Sequence, residues 1–228
     1  MRYIAHRGYS LEYRDNSINA ILWAINLGYD GIEIDVQLCG TGELILYHDV
    51  YIDKYFISET SFEVLKKFGI CSLQEVYDKL PKIIYKDLIL DIKGNNIEVV
   101  GALERFYMRR STERVTFCSF NRRILNILPD YYKKGSTFET TFHPREYDMI
   151  TQKLSMVVVH WTCLDHDFIT YCKSKNIRVY TYTHKEPKEL EYMYKYDVDA
   201  IITNGLKRNT ILSICGVGGA VTHLTETF

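Results

Sequence analysis

Glu33 and Asp35 stand two residues apart inside an otherwise apolar run, Gly31 to Val36. In a strand that spacing turns both side chains to one face, with Cα atoms roughly 6.5 Å apart. Two carboxylates on an inward face repel each other and lose their hydration. A hard divalent cation, Mg²⁺ or Ca²⁺, relieves both effects because it takes oxygen ligands and supplies opposite charge. Asp91 and Lys93 repeat the two-residue spacing at the end of the run beginning at Leu88. Asp91 is therefore a third candidate ligand, and Lys93 a candidate cation in the same pocket. A structural ion-pair network of these four residues is the competing reading.

Two histidines favour chemistry over mere ion pairing. His6 ends the first apolar run, and His48 ends a run that follows Asp35 after the turn-rich stretch Cys39 to Glu43. A return limb of that length brings His48 level with Asp35. Imidazoles beside a metal suit acid–base work near neutral pH. Arg7 and Lys93 offer N–H donors and no acceptor, which matches phosphate oxygens. Together these groups favour phosphoryl transfer over carbonyl chemistry. Which histidine is base and which acid stays open, as does whether water or a neighbouring substrate hydroxyl attacks. Trp161 with Tyr180 or Tyr182 could wall the substrate pocket, with core packing an equal alternative. His143, His166, His184 and His223 are expected on the surface.

The elements that must hold these residues alternate regularly. Strand-like runs at Tyr3–Ala5, Ile32–Val36, Leu88–Ile92, Val115–Cys118, Ser136–Thr140, Met156–His160, Val179–Thr183 and Ala200–Thr203 are separated by amphipathic stretches. Helices are expected at Ser17–Leu27, Leu73–Leu80, Ile97–Arg110, Arg122–Leu128, Tyr147–Leu154, Asp167–Lys175, Glu186–Tyr196 and Lys207–Ile214. Eight strand–helix units predict an α/β fold, a closed (β/α)8 TIM barrel with chemistry at the C-terminal strand ends. Leu44 to His48 leaves no room for a crossover helix, so it is expected to return antiparallel as a short hairpin after the second strand. Gly216–Phe228 carries no clear pattern.

With 228 residues, 46% hydrophobic and 25% charged, the chain can bury a full core, which excludes disordered and fibrous classes. No linker divides it, so residues 1–228 are expected to form one domain. A formal net charge of −1 gives no general attraction to nucleic acid or an anionic membrane. His6-Arg7 interrupts the first apolar segment, leaving no signal-peptide core, and no run reaches the roughly 18 residues of a membrane span. Cys39, Cys71, Cys118, Cys163, Cys172 and Cys215 show no CxxC spacing, so reduced thiols and a cytoplasmic location are expected.

Read in order, His6-Arg7-Gly8, Asp15-Asn16-Ser17, Glu33-Ile34-Asp35-Val36, His48-Asp49, Ser72-Leu73-Gln74-Glu75, Asp91-Ile92-Lys93, Ser119-Phe120 and Val198 to Asn204 resemble the glycerophosphodiester phosphodiesterase family. The resemblance spans about residues 3 to 207. It implies a metal-assisted barrel enzyme that cleaves small glycerophosphodiesters to glycerol 3-phosphate and an alcohol. Glu33, Asp35 and Asp91 match the family's metal ligands, His6 and His48 its acid–base pair, and Arg7 and Lys93 its phosphate-binding residues. Asp91 replaces the usual Glu, a feature shared with the more distantly related, cyclising phospholipases that resemble sphingomyelinase D. Val50 to Lys54 replaces an Arg-Thr-Thr stretch, Arg14-Asp15 a Pro-Glu pair, Tyr180 to Thr183 a Trp-Thr-Val-Asn segment, and Asn204 an Asp. The segment Asp49 to Cys71 is short for the helical insertion common there, which implies a more open site. A cyclising phospholipase on lysolipid or sphingolipid headgroups, and a weakly catalytic phosphodiester-binding barrel, are the rival readings.

Overall fold

Apolar residues at every second position make short strands, and hydrogen bonding closes eight of them into a ring. The computed structural model describes residues 1–205, so the expected helix at Lys207–Ile214, the Gly216–Phe228 tail, Cys215 and His223 lie outside the described residues. The strands are β1 (Arg2–His6), β2 (Gly31–Leu38), β3 (Leu44–Leu46), β4 (Tyr51–Ile52), β5 (Tyr55–Phe56), β6 (Asp87–Ile92), β7 (Val115–Ser119), β8 (Lys133–Phe138), β9 (Met156–His160), β10 (Arg178–His184) and β11 (Ala200–Thr203). Parallel pairing runs β1-β11-β10-β9-β8-β7-β6-β2, and β1 pairs again with β2 through Ile4↔Gly31 to His6↔Glu33, closing the (β/α)8 barrel. The expected hairpin is present, with β3 returning antiparallel on Val36–Leu38 of β2.

Helices α1 (Ile18–Asn26), α2 (Phe62–Lys66), α3 (Leu73–Lys79), α4 (Glu98–Tyr107), α5 (Arg122–Ile127), α6 (Tyr147–Thr151), α7 (His166–Ser174) and α8 (Pro187–Met193) complete the described chain. Their starts follow from local chemistry. Ser17 caps α1 by accepting from the Ala20 N–H, and Ser72 with Glu75 forms a reciprocal capping box on α3. Outward strand residues such as Ile32, Ile34, Val36, Leu88, Leu90 and Phe117 join the helices in one large apolar cluster. None of the described helices is long and apolar enough to cross a membrane. The five described cysteines are free thiols.

The barrel interior is layered. Arg2 and Arg114 pair with Asp87 at the N-terminal end, where Arg178 donates to Thr116 and Tyr180. Above them Ile4, Ile89, Cys118, Met156, Val158, Tyr180, Ala200 and Ile202 form an apolar middle layer. The polar residues singled out from the sequence occupy the C-terminal end.

Two local features depart from expectation. Residues 49–71 hold a small antiparallel pair, β4 with β5, a 3-10 turn at Ile57–Glu59 and α2, where no strands were expected. His184 is fully buried, although a surface position was expected. The pairing of β10 with β11 shifts register between Thr181 and His184, and the His184 ring lies 3.3 Å from Thr181 Oγ1.

Burial lowers the His184 imidazole from 6.5 to about 4. Between those values the unfolded chain binds the proton and the folded chain does not. Stability present above about pH 6.5 is therefore lost as pH falls towards 4. In urea unfolding between pH 7 and 4.5, His184→Leu is expected to flatten this loss. An identical fall in midpoint for wild type and variant would remove His184 from the pH response.

Candidate active site

The site begins with β2 and β6, whose inward faces carry Glu33, Asp35 and Asp91. Their pairing register sets Asp35 directly opposite Asp91 and Glu33 two residues below on the same face. All three are buried, and one carboxylate oxygen from each lies within 4.8 Å of the others. Such crowding dictates the charge states. Burial and the neighbouring Asp35 and Asp91 hold the Glu33 carboxyl well above its ordinary range. Burial likewise raises Asp91, with Asp35 adding to the effect. Asp35 is pushed up by burial but held below its usual value by Lys93, Arg7 and the Asn16 amide.

Arg7 and Lys93 supply the balance. Arg7 Nε lies 3.0 Å from Asp35 Oδ2, and its Nη1 lies 3.0 Å from Asp15 Oδ2. Lys93 Nζ lies 2.6 Å from Asp91 Oδ2 and 3.2 Å from Asp35 Oδ1. Each cation thus touches a carboxylate on one side and lines the cavity on the other. Arg7 reaches this place through a left-handed backbone, φ 57°, followed by Gly8 at φ 80°. A Cβ on Gly8 would sit 2.6 Å from the Ala20 carbonyl carbon, so only glycine lets the turn pack on α1. The same turn aims the Arg7 backbone N–H at Glu33 Oε2, 3.0 Å away.

The histidines occupy the same cavity. His6 Nε2 lies 3.9 Å from Glu33 Oε2, and its Nδ1 lies 2.5 Å from Asn204 Oδ1. Burial, reinforced by Arg7, lowers the His6 imidazole to about 4. His48 also lines this cavity, with Nδ1 2.7 Å from the Asp49 carboxylate.

Several supporting residues had no assigned role in the sequence. Asn16 is buried, donates to Asp35 Oδ2 at 2.8 Å and accepts from the Asp35 N–H at 3.0 Å. Gln37, two residues beyond Asp35 on the same face, donates through Nε2 to the carbonyls of Tyr47, His48 and Asp49, at 2.7, 3.4 and 2.8 Å. One amide therefore pins the segment that carries His48. The i, i+2 continuation of Glu33 and Asp35 to Gln37 was the available signal. Trp161 lines the cavity as expected, but Tyr180 does not. It lies one interior layer lower, where its hydroxyl accepts from Arg2 and Arg178, and Tyr182 lines the cavity in its place.

The cavity measures about 610 Å³, ample for a small diester. Its acidic half fits a hard divalent cation. Oδ1 of Asp91 receives no hydrogen bond, Oδ1 of Asp35 has only the Lys93 ammonium beside it, and all potential ligand atoms are carboxylate oxygens.

The chain matches the profile of the Glycerophosphoryl diester phosphodiesterase family over residues 6–79 and 63–207. A glycerophosphodiester phosphodiesterase of Caldanaerobacter subterraneus is 28% identical over 95% of this chain and 98% of its own length. Two solved structures share the fold at 20% identity. The Oleispira antarctica phosphodiesterase, in complex with the product sn-glycerol-3-phosphate, superposes with a TM-score of 0.81 over 94% of this chain and 96% of that one. The Thermotoga maritima glycerophosphodiester phosphodiesterase gives 0.78 over 94% and 97%. Profile, barrel and acidic cluster agree, and the chain belongs to the glycerophosphoryl diester phosphodiesterase family of hydrolases.

Proposed function

We propose that the protein hydrolyses glycerophosphodiesters to glycerol 3-phosphate and a free alcohol, with His6 and His48 as acid–base pair and Glu33, Asp35 and Asp91 as ligands of one divalent cation, Mg²⁺ or Ca²⁺. One observation carries this reading: Glu33 and Asp91 line a cavity with His6, His48, Arg7 and Lys93, and Asp35 lies within the same carboxylate cluster just behind them. The sn-glycerol-3-phosphate bound by the Oleispira protein supports the assigned product. The reading takes the chain as one cytoplasmic domain acting on a small soluble substrate.

When bound, the cation supplies Lewis-acid polarisation of a phosphate oxygen and offsets the repulsion among its three ligands. Arg7 and Lys93 hold the remaining phosphate oxygens by charge-assisted hydrogen bonds. Asn204 Oδ1 can only accept, so it fixes the His6 proton on Nδ1 and leaves the Nε2 lone pair free. Burial keeps that ring neutral, which suits a base. His6 Nε2 takes a proton from the attacking water as the water oxygen bonds to phosphorus. The bond from phosphorus to the alcohol oxygen breaks, and His48 gives that oxygen its proton. The Asp49 carboxylate orients the His48 ring.

With Mg²⁺ and glycerophosphocholine, phosphorus NMR is expected to show glycerol 3-phosphate. His6→Ala or His48→Ala should lower kcat by about 10²–10⁴. A loss under tenfold in both would refute the pair, and an accumulating cyclic phosphate would transfer the attack from water to the glycerol hydroxyl. Asp91→Ala should raise the cation concentration for half-maximal activity by about tenfold or more. It should also reduce the rise in Tm that the cation gives the wild type. An unaltered requirement after EDTA treatment and cation titration would exclude Asp91 as a ligand. Gln37→Leu frees three carbonyls around His48 and should lower kcat by about tenfold or more at nearly constant KM. A lowered Tm with unchanged kcat would mean that Gln37 only supports the hairpin.

A further inference from the structure

Asn204 is the only asparagine in the 228 residues that is followed by glycine. That pair carries a reaction of its own. The backbone nitrogen after an asparagine can attack the side-chain amide carbon, and a side chain on the following residue obstructs the approach. Gly205 offers no such obstruction. Its φ is +119°, and a Cβ there would sit 2.6 Å from Leu11 Cβ and 2.9 Å from the Tyr9 ring. Packing after β11 therefore demands glycine at this place and preserves the reactive pair.

The surroundings of Asn204 favour that attack at each of its three atoms. Asn204 Oδ1 accepts from His6 Nδ1 at 2.5 Å, which polarises the amide carbon and stabilises the oxyanion formed on attack. Asn204 Nδ2, the leaving nitrogen, donates to no described residue. Asn204 lines the cavity, so ammonia has a route to solvent. The nucleophile is unengaged as well. Asn204 gives its own N–H to the His184 carbonyl at 3.2 Å, whereas the Gly205 N–H donates to no described residue. Attack within one dipeptide also avoids the entropy of bringing two partners together.

We propose that Asn204 deamidates spontaneously and that the isoaspartate formed there disconnects His6. A bond forms between Gly205 N and Asn204 Cγ, the Cγ–Nδ2 bond breaks, and ammonia departs with the Gly205 proton. Water then opens the cyclic imide to aspartate or isoaspartate. Isoaspartate adds a methylene to the backbone and so displaces the acceptor of His6 Nδ1. The effect on turnover rests on the diesterase reading above; the modification itself does not. In the test the full chain is held at mildly alkaline pH and mapped by peptide mass spectrometry, with turnover of glycerophosphocholine followed in parallel. The Asn204 peptide is expected to gain about 1 Da. Its early converted fraction should exceed those of the exposed Asn95 and Asn176 by about tenfold. Asn204→Gln, which must close a larger ring, should show no gain at that position. Wild-type kcat is expected to fall in step with isoaspartate content. Conversion at Asn204 no greater than at Asn95 and Asn176, or an equal gain in Asn204→Gln, overturns the modification. Full conversion at unchanged kcat overturns its effect on His6. Absence of turnover in fresh protein overturns the diesterase reading and leaves the mass result standing.

Discussion

Repulsion among three buried carboxylates is the constraint around which the upper barrel is organised. Glu33, Asp35 and Asp91 cannot all carry charge in a dry interior without compensation. Asp35 is the pivot, because Arg7, Lys93 and Asn16 all converge on it. The turn after β1 follows from that demand. Only the left-handed Arg7–Gly8 step brings the guanidinium over Asp35 while turning the backbone N–H to Glu33. Asn16 closes the loop by donating its own N–H to the Arg7 carbonyl at 2.9 Å. The conformation of residues 7 to 16 is thus an electrostatic consequence of the acids on β2.

The layers below make this electrostatics strong. The ion pairs of Arg2 and Arg114 with Asp87 seal the N-terminal end, and the apolar middle layer separates that seal from the site. Charges above such a layer act through a less polarisable medium than water, so each opposite pair weighs more. The same environment keeps His6 neutral and raises Glu33. Proton placement in the site is therefore a property of the whole barrel section and not of the local motifs alone.

Much of this was legible in the sequence because barrel strands obey a period of two. Glu33 with Asp35 and Asp91 with Lys93 announced an inward face, and register brought the two pairs together as that period requires. What the period could not supply was depth. Tyr180 and Tyr182 share a face, yet strand stagger puts the first in the middle layer and the second at the cavity. His184 escaped because β10 runs one residue past the expected end at Thr183, through a register shift. Asn16, Gln37 and Asn204 were silent for another reason. Their partners are a distant side chain or backbone carbonyls, and neither leaves a residue pattern. The pair β4–β5 is held by only two register pairs, too short a stretch to show alternation.

The ring of strands divides the work of the cavity. Acids, cations and His6 come from β1, β2 and β6 or the turns that follow them, with His48 on the segment after β3. The aromatic wall comes from the ends of β7, β9 and β10. Among the described contacts, the Tyr182 hydroxyl bonds to Glu139 and Phe138 and the His160 ring to Thr162, none of them in the carboxylate triad. A change in the wall can therefore alter what is bound without removing the supports of the reacting groups. The Lys93 ammonium near the Phe120 ring is the contact that spans the two halves. Because Lys93 also pairs with Asp91 and Asp35, the aromatic wall and the acidic centre share one neighbour. Moving that cation would therefore disturb the charge balance of the acids and the ring beside it at once.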